Sequence, residues 1–162
     1  SGSMGGEREV WSKAIALALL SVARKQKRSC RVIHFDCDIG RVDDFDGKAS
    51  VDANELLDSM CYFSGGGTDF EGPLREAHEA IAKESGLRKA DVVFITDGIC
   101  KTKESFRSWW ATERERLGFN VFGIHVGAPG GVASKSLGEL SDKVVGVADI
   151  ANDAVVHDVF SL

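Results

Sequence analysis

The feature that most constrains the fold is the alternation of short apolar runs with longer helical segments. Residues 31–35 and 90–96 are rich in β-branched and aromatic side chains, as expected for buried strands. Residues 119–126 and 143–147 predict two further strands, and the polar residues 40–47 predict an edge strand in a hairpin with 31–35. Helices are predicted over residues 7–27, 51–63, 70–84, 104–117, 135–140 and 152–160. This order indicates an α/β fold with a mainly parallel sheet.

The sequence also predicts which face of the first helix is buried and where two other helices end. The first helix carries a wide apolar or small face that we expect to be buried, made of Val10, Ala14, Leu17, Ala18, Leu20 and Ser21. Gly86 is predicted to end the helix over residues 70–84, and Gly118 the helix over residues 104–117.

Composition narrows the class of protein. The chain has 162 residues, which favours a single domain over residues 1–162. The net charge of −5 argues against general nucleic-acid binding, and no apolar stretch is long enough to span a membrane. The four cysteines match no zinc spacing, so we expect reduced thiols in a cytoplasmic protein, with a disulfide or a zinc site as the alternative.

Three segments combine glycine with small oxygen-bearing side chains at element boundaries: residues 1–6, 66–69 and 96–98. The carboxyl ends of parallel strands meet at one edge of a sheet, so these segments are expected to lie together. Hydroxyl and carboxylate oxygens suit a hard cation such as Mg²⁺. These three segments are therefore the candidates for a cation site.

Each candidate also has a structural explanation. Considered separately, Ser1 and Ser3 are explained as terminal residues and Thr68 is explained as a helix cap. Asp97 and the glycine after it are explained as a turn. Asp69 suits the first turn of a helix, where a carboxylate favours the dipole. The acidic run lacks the spacing of an EF-hand and is predicted to be a solvated hairpin; it comprises Asp36, Asp38, Asp43, Asp44 and Asp46. No nucleophile elbow occurs.

Taken together, the three segments resemble the motifs of von Willebrand factor A (VWA) domains. Ser-Gly-Ser-Met-x-Gly at residues 1–6 resembles the second half of that family's Asp-x-Ser-Gly-Ser-Met-x-Gly motif. Gly-Gly-Thr-Asp at 66–69 resembles its threonine loop, and Ile-Thr-Asp-Gly at 95–98 its second aspartate. The order and spacing agree over essentially the whole chain, and within the family the sequence looks most like bacterial CoxE/ViaA-type proteins.

This resemblance implies a three-layer, Rossmann-like fold and a metal-ion-dependent adhesion site (MIDAS). Ser1, Ser3 and Thr68 would supply hydroxyl ligands to Mg²⁺, or to Mn²⁺ or Ca²⁺. Asp97 would bind the metal directly or through water, and an Asp or Glu of a partner protein would complete the coordination. CoxE/ViaA-type proteins typically work with a MoxR-class AAA+ ATPase, which is therefore an expected partner.

One part of the family pattern is not in the sequence. The first strand, expected at the centre of the sheet, and the aspartate two positions before Ser1 are both missing. Three explanations are open: a fragment of a longer protein, a sequence that has lost residues, or an expression-tag remnant at residues 1–4 that imitates the motif.

The leading functional prediction is a non-enzymatic, metal-dependent protein-binding module. A Mg²⁺-dependent hydrolase or phosphotransfer enzyme is the alternative from another class, although the sequence offers no nucleophile or phosphate loop. A VWA domain with a vestigial metal site is the third possibility.

Overall fold

The computed structural model describes residues 5–63, 65–88, 90–126 and 132–146. The helix predicted from Asn152 lies outside the described residues. The elements in chain order are α1 (Glu7–Lys25), β1 (Cys30–Phe35), β2 (Ile39–Phe45), α2 (Ala53–Cys61), α3 (Glu71–Lys83), β3 (Val92–Thr96), α4 (Glu104–Leu117), β4 (Val121–His125), α5 (Val132–Gly138) and β5 (Lys143–Gly146).

The strands form two hydrogen-bonded groups. β1 and β2 make an antiparallel hairpin in which Cys30 lies opposite Phe45, as the sequence predicted. β3, β4 and β5 make a parallel sheet in that order. The predicted α/β class with a mainly parallel sheet flanked by helices is confirmed, and it has the layered arrangement of a Rossmann-like fold.

The core lies on both faces of the sheet. On one face α3 and α4 bury a large aromatic cluster that includes Phe70, Phe94, Phe106 and Trp110. On the other face Ile15 of α1 packs with a smaller aliphatic cluster from the strands. These two layers of helix around the sheet fix the strand ends, where ligands bind in folds of this kind.

The predicted apolar face of α1 is wrong in part. Leu20 is buried, but Val10 is 67% exposed and Leu17 is 43% exposed, while Ile15 takes the central buried position. The helix is apolar on more than one side, so periodicity alone could not identify the face that packs on the sheet. Val10, Trp11, Ala14 and Leu17 instead share an exposed side of the helix.

Two predicted helix ends had different outcomes. Gly118 ends α4 in the left-handed conformation, with φ of 69°, which glycine adopts without steric cost. Gly86 does not end α3, because that helix stops at Lys83 and Gly86 lies in a separate 3-10 turn, Ser85–Leu87.

Two further observations concern the thiols and the lengths of the helices. All four cysteines are free, and burial raises the pKa of Cys30 to about 11. In the part of the chain that the structure describes, no helix is both long enough and apolar enough to cross a membrane.

Candidate functional site

The candidate site lies at the edge of the sheet where β1 and β3 end. Asp36 follows β1, Asp97 follows β3, and residues 65–69 pass between them on the way to α3. The sheet therefore brings together two of the three predicted segments. Ser1 and Ser3, the remaining candidate ligands, lie outside the described residues.

Asp36 anchors the glycine loop to the end of β1. Its carboxylate accepts a hydrogen bond from the backbone N–H of Gly66 at 3.0 Å, and its carbonyl oxygen accepts one from Asp69 at 2.6 Å. Hydrogen bonds from the backbone N–H groups of Asp38 and Gly66 lower the pKa of Asp36 to about 2. Asp36 is therefore ionised near neutral pH and holds the loop as an anion.

The contact of Asp36 with the glycine loop was not predicted from the sequence, in which Asp36 was grouped with the acidic hairpin. The available signal was its position, since an Asp directly after a strand often accepts hydrogen bonds from a nearby turn.

Thr68 lies against the turn that follows β3. A Cβ atom placed on Gly98 would lie 3.0 Å from the Thr68 hydroxyl oxygen and 3.1 Å from its methyl carbon. Gly98 thus permits a close approach that any larger residue would disturb. The Gly98 N–H also donates to the buried Thr96 hydroxyl at 3.0 Å, which fixes the turn.

The side chain of Asp97 is buried and paired with a cation. Its side chain is only 1% exposed, and its Oδ2 accepts a hydrogen bond from Arg8 Nη1 at 2.8 Å. Arg8 lies in the first turn of α1, where a positive charge is unfavourable with respect to the helix dipole. The ion pair with Asp97 offsets that penalty, so the site already contains one positive charge.

Arg8 was not among the site residues predicted from the sequence. A basic residue in the first turn of a helix was the usable signal, because such a position needs a compensating anion.

Asp69 has the structural role that the sequence analysis favoured. Its carboxylate accepts hydrogen bonds from the N–H groups of Glu71 at 3.3 Å and Gly72 at 2.8 Å. These are first-turn amides of α3, so Asp69, one residue before the N-cap position of Phe70, satisfies them with its carboxylate.

The donor set at this edge is chemically suited to a hard cation. Thr68 offers a hydroxyl oxygen beside the turn that carries Asp97. The Asp97 carboxylate is nearly inaccessible to solvent, and the guanidinium of Arg8 balances its charge. Oxygen donors of this kind are those that Mg²⁺ prefers. Two ligands alone do not hold the ion, so the fit requires further oxygen donors such as the predicted hydroxyls of Ser1 and Ser3.

The acidic hairpin does not form a metal site among the described residues, where no group of three or more His, Cys, Asp or Glu side chains is placed to hold an ion. Asp44 pairs with Arg31, and the side chain of Asp43, only 8% exposed, pairs with Arg41. The hairpin prediction is confirmed, but Asp43 is more buried than a solvated edge would allow.

A serine, a histidine and an aspartate also meet beside β1, without the geometry of a catalytic triad. His34 Nε2 lies 3.1 Å from the Ser59 hydroxyl and 3.5 Å from an Asp43 oxygen, so both partners share one ring nitrogen. Ser59 is fully buried, and burial lowers the pKa of His34. The group satisfies buried polar atoms and presents no accessible nucleophile.

The rim of the candidate site is apolar on the side of the turn. Ile99, directly after Gly98, is 55% exposed, and Phe63, just before the glycine loop, is 48% exposed. A half-exposed arginine paired with a buried carboxylate, with exposed apolar side chains nearby, is a composition found at protein-binding surfaces.

Comparisons with known proteins identify the family of the chain and several relatives. The sequence model of the von Willebrand factor type A domain matches residues 1–99. Two uncharacterised proteins of Methanocaldococcus jannaschii are similar: MJ0077 is 36% identical over 141 residues, and MJ0811 is 28% identical over 153 residues. The regulatory protein ViaA of Proteus mirabilis is 31% identical over 101 residues.

These relatives are much longer than the chain. The first two alignments cover 87% and 94% of this chain but only 34% of each relative. The alignment with ViaA covers 62% of this chain and 20% of that protein.

Proposed function

Because this chain belongs to the von Willebrand factor type A domain family, we propose that it is a protein-interaction module that binds its partner through a divalent metal ion at the Thr68–Asp97 edge. The observation that carries the proposal is the contact between Thr68 and the Asp97–Gly98 turn. It joins two segments that are distant in sequence, and it places a hydroxyl and a buried carboxylate at the carboxyl edge of the strands, where this fold class binds ligands.

The residues that would hold the ion are Thr68 and Asp97, together with Ser1 and Ser3. When bound, Mg²⁺ supplies a strongly electrophilic centre that an external carboxylate completes. The residues of this chain orient that carboxylate and exclude water around it. Ile99 and Phe63 provide exposed apolar area next to the metal, which favours a partner segment with an Asp or Glu flanked by apolar side chains.

We take the proposed partner class from the family resemblance. The similarity to ViaA and to CoxE/ViaA-type proteins supports a MoxR-class AAA+ ATPase, or a client of such an ATPase, as the protein that presents the acidic residue. The proposed activity is binding and not catalysis. The buried Ser59 hydroxyl and the shared ring nitrogen of His34 support that choice.

Binding to a purified MoxR-class ATPase tests this function directly. We expect saturable binding in millimolar Mg²⁺, loss of binding in EDTA, and recovery when Mg²⁺ is restored. A variant with Ile99→Ser is expected to bind more weakly, because it removes exposed apolar area beside the site. Binding that is unchanged in EDTA would refute the metal-dependent mode. Turnover of a phosphate ester with Mg²⁺ would favour an enzyme instead.

Replacing Gly98 by alanine should weaken Mg²⁺ binding by about tenfold, which corresponds to about 1.4 kcal/mol. The new methyl group would lie about 3.0 Å from the Thr68 hydroxyl oxygen and would displace that ligand. Isothermal titration with MgCl₂ measures the change.

Gly67→Ala is the matched control. A Cβ atom at Gly67 meets nothing closer than the Cys37 Cβ at 3.8 Å, an ordinary contact in the same part of the site. Equal Mg²⁺ affinity for the two alanine variants would show that Thr68 is not a ligand.

A further inference from the structure

A cleft lies at the amino ends of β1 and β3, at the end of the sheet opposite the Thr68–Asp97 edge. Ser29 directly precedes β1, Ala90 lies two positions before β3, and both line the cleft. Its volume of about 550 Å³ is within the range of clefts that hold ligands. Because β1 has six residues, the cleft and the candidate metal site are about 20 Å apart and are separate sites.

Three segments of the chain meet at this cleft, and two glycines allow them to approach closely. A Cβ atom on Gly47, after β2, would clash with the main chain of Arg28, after α1. A Cβ atom on Gly86, in the 3-10 turn before β3, would lie 3.4 Å from Ser29 Oγ, and the Gly47 N–H donates to that same oxygen at 3.5 Å. The segment after α1, the turn after β2 and the 3-10 turn are therefore held side by side.

Exposed cations dominate the lining of the cleft. Four basic side chains, contributed by all three segments, define what we call the basic cleft: Lys27, Arg28, Lys48 and Arg88. None of them forms an ion pair with an acidic side chain in the part of the chain that the structure describes. Arg31, by contrast, pairs with Asp44, Glu76 and Glu84. Cations that converge without such partners raise the local concentration of anions, so the basic cleft favours an anionic ligand.

Lys27 holds an unfavourable backbone conformation beside this cleft. It directly follows the C-cap residue of α1 and has a φ of 57°, in the left-handed region where glycine is the usual residue. Among the described residues it is the one non-glycine residue with a positive φ. A lysine at such a position lowers the stability of the helix end but adds a cation to the basic cleft, as expected of a residue with a binding role.

The charges of the basic cleft favour a peptide with carboxylate side chains over a nucleic acid. Asp46 also lines the cleft, and its Oδ1 accepts a hydrogen bond from the Lys48 N–H at 2.9 Å. A phosphodiester backbone offers no hydrogen-bond donor to this carboxylate, whereas the main-chain N–H groups of a peptide do. The net charge of −5 also repels a long polyanion.

We propose that the basic cleft binds a short acidic segment of a partner protein, independently of the metal site. Aspartate or glutamate side chains of that segment would pair with Arg28 and Arg88, because a planar guanidinium donates two N–H groups to one carboxylate. Lys27 and Lys48 would add positive charge, and a main-chain N–H of the segment would donate to Asp46. This surface goes beyond the proposed metal-dependent function and gives the domain a second point of contact with a partner.

Fluorescence anisotropy with a labelled octapeptide of alternating Asp and Glu tests this site, and the corresponding peptide of Asn and Gln is the uncharged control. The titrations contain EDTA and no Mg²⁺, so they are independent of the proposed metal site. We expect saturable binding of the acidic peptide only, weakened by about tenfold or more in Arg28→Gln and in Arg88→Gln. Arg24→Gln removes an exposed charge of α1 that does not line the cleft, and its affinity should stay within about twofold.

Lys27→Gly separates binding from folding. Glycine removes the left-handed strain together with the cation, so the urea midpoint should rise while the peptide affinity falls by about threefold or more. Equal affinity of the Arg24, Arg28 and Arg88 variants for the acidic peptide would overturn the proposal, as would equal binding of the acidic and uncharged peptides. A single-stranded oligonucleotide that displaces the labelled peptide at a lower concentration than the unlabelled peptide would overturn the choice of ligand in favour of a nucleic acid.

Discussion

Replacing Trp110 by alanine is expected to lower the free energy of unfolding by about 3–5 kcal/mol, the usual cost of removing a fully buried tryptophan. Trp110 is 1% exposed and stacks with Phe106, and its ring lies edge-on to Phe119 at 5.5 Å. Its indole N–H also donates to the Leu140 carbonyl at 2.9 Å, which ties α4 to the segment before β5. Urea unfolding followed by circular dichroism measures the loss.

Trp11→Ala is the matched control for this prediction. Trp11 is 51% exposed on α1, so its removal should change the free energy of unfolding by no more than about 0.5 kcal/mol. Equal urea midpoints for the two variants would contradict the assignment of the aromatic cluster on α3 and α4 as the main core.

Replacing Arg8 by glutamine should raise the affinity for Mg²⁺ by about tenfold and lower the stability of the metal-free protein. The guanidinium neutralises a carboxylate that is 1% exposed, so its removal leaves Asp97 without that counter-ion. A divalent cation at the site then no longer competes with the guanidinium for Asp97. Titration calorimetry gives the affinity, and thermal unfolding with and without Mg²⁺ gives the stability.

We expect the Mg²⁺ affinity to rise by only about tenfold because Arg8 is half exposed and solvent screens its charge. Arg24→Gln, an exposed basic residue in the last turn of the same helix, is the control for a general change of charge. An Arg8 variant with unchanged Mg²⁺ affinity would mean that Asp97 does not take part in metal binding.

Much of the fold could be predicted from the sequence because its signals are local. The run of β-branched residues at β3, the glycine after α4 and the polar strand β2 each determine local structure without distant contacts. The buried face of α1 could not be predicted, because Val10 and Leu17 are as apolar as Ile15 and only the position of the sheet distinguishes them.

The candidate site was predictable to the extent that parallel strands align their carboxyl ends. That rule correctly placed Thr68 beside the Asp97–Gly98 turn. It could not identify Arg8, which lies 89 positions from Asp97 in sequence, or the loop contact of Asp36 with Gly66, 30 positions away. Both contacts depend on how the helix and the loop pack on the finished sheet.

The central claim is that this edge of the sheet binds a divalent cation through Asp97 and Thr68. The most direct measurement is calorimetric titration of MgCl₂ into the metal-free chain and into its Asp97→Asn variant, which keeps the shape of the side chain and removes its charge. We expect saturable binding at one site in the unaltered chain, with a rise in melting temperature, and neither effect in the variant. Equal Mg²⁺ binding by the two proteins, or none by the unaltered chain, would contradict the claim.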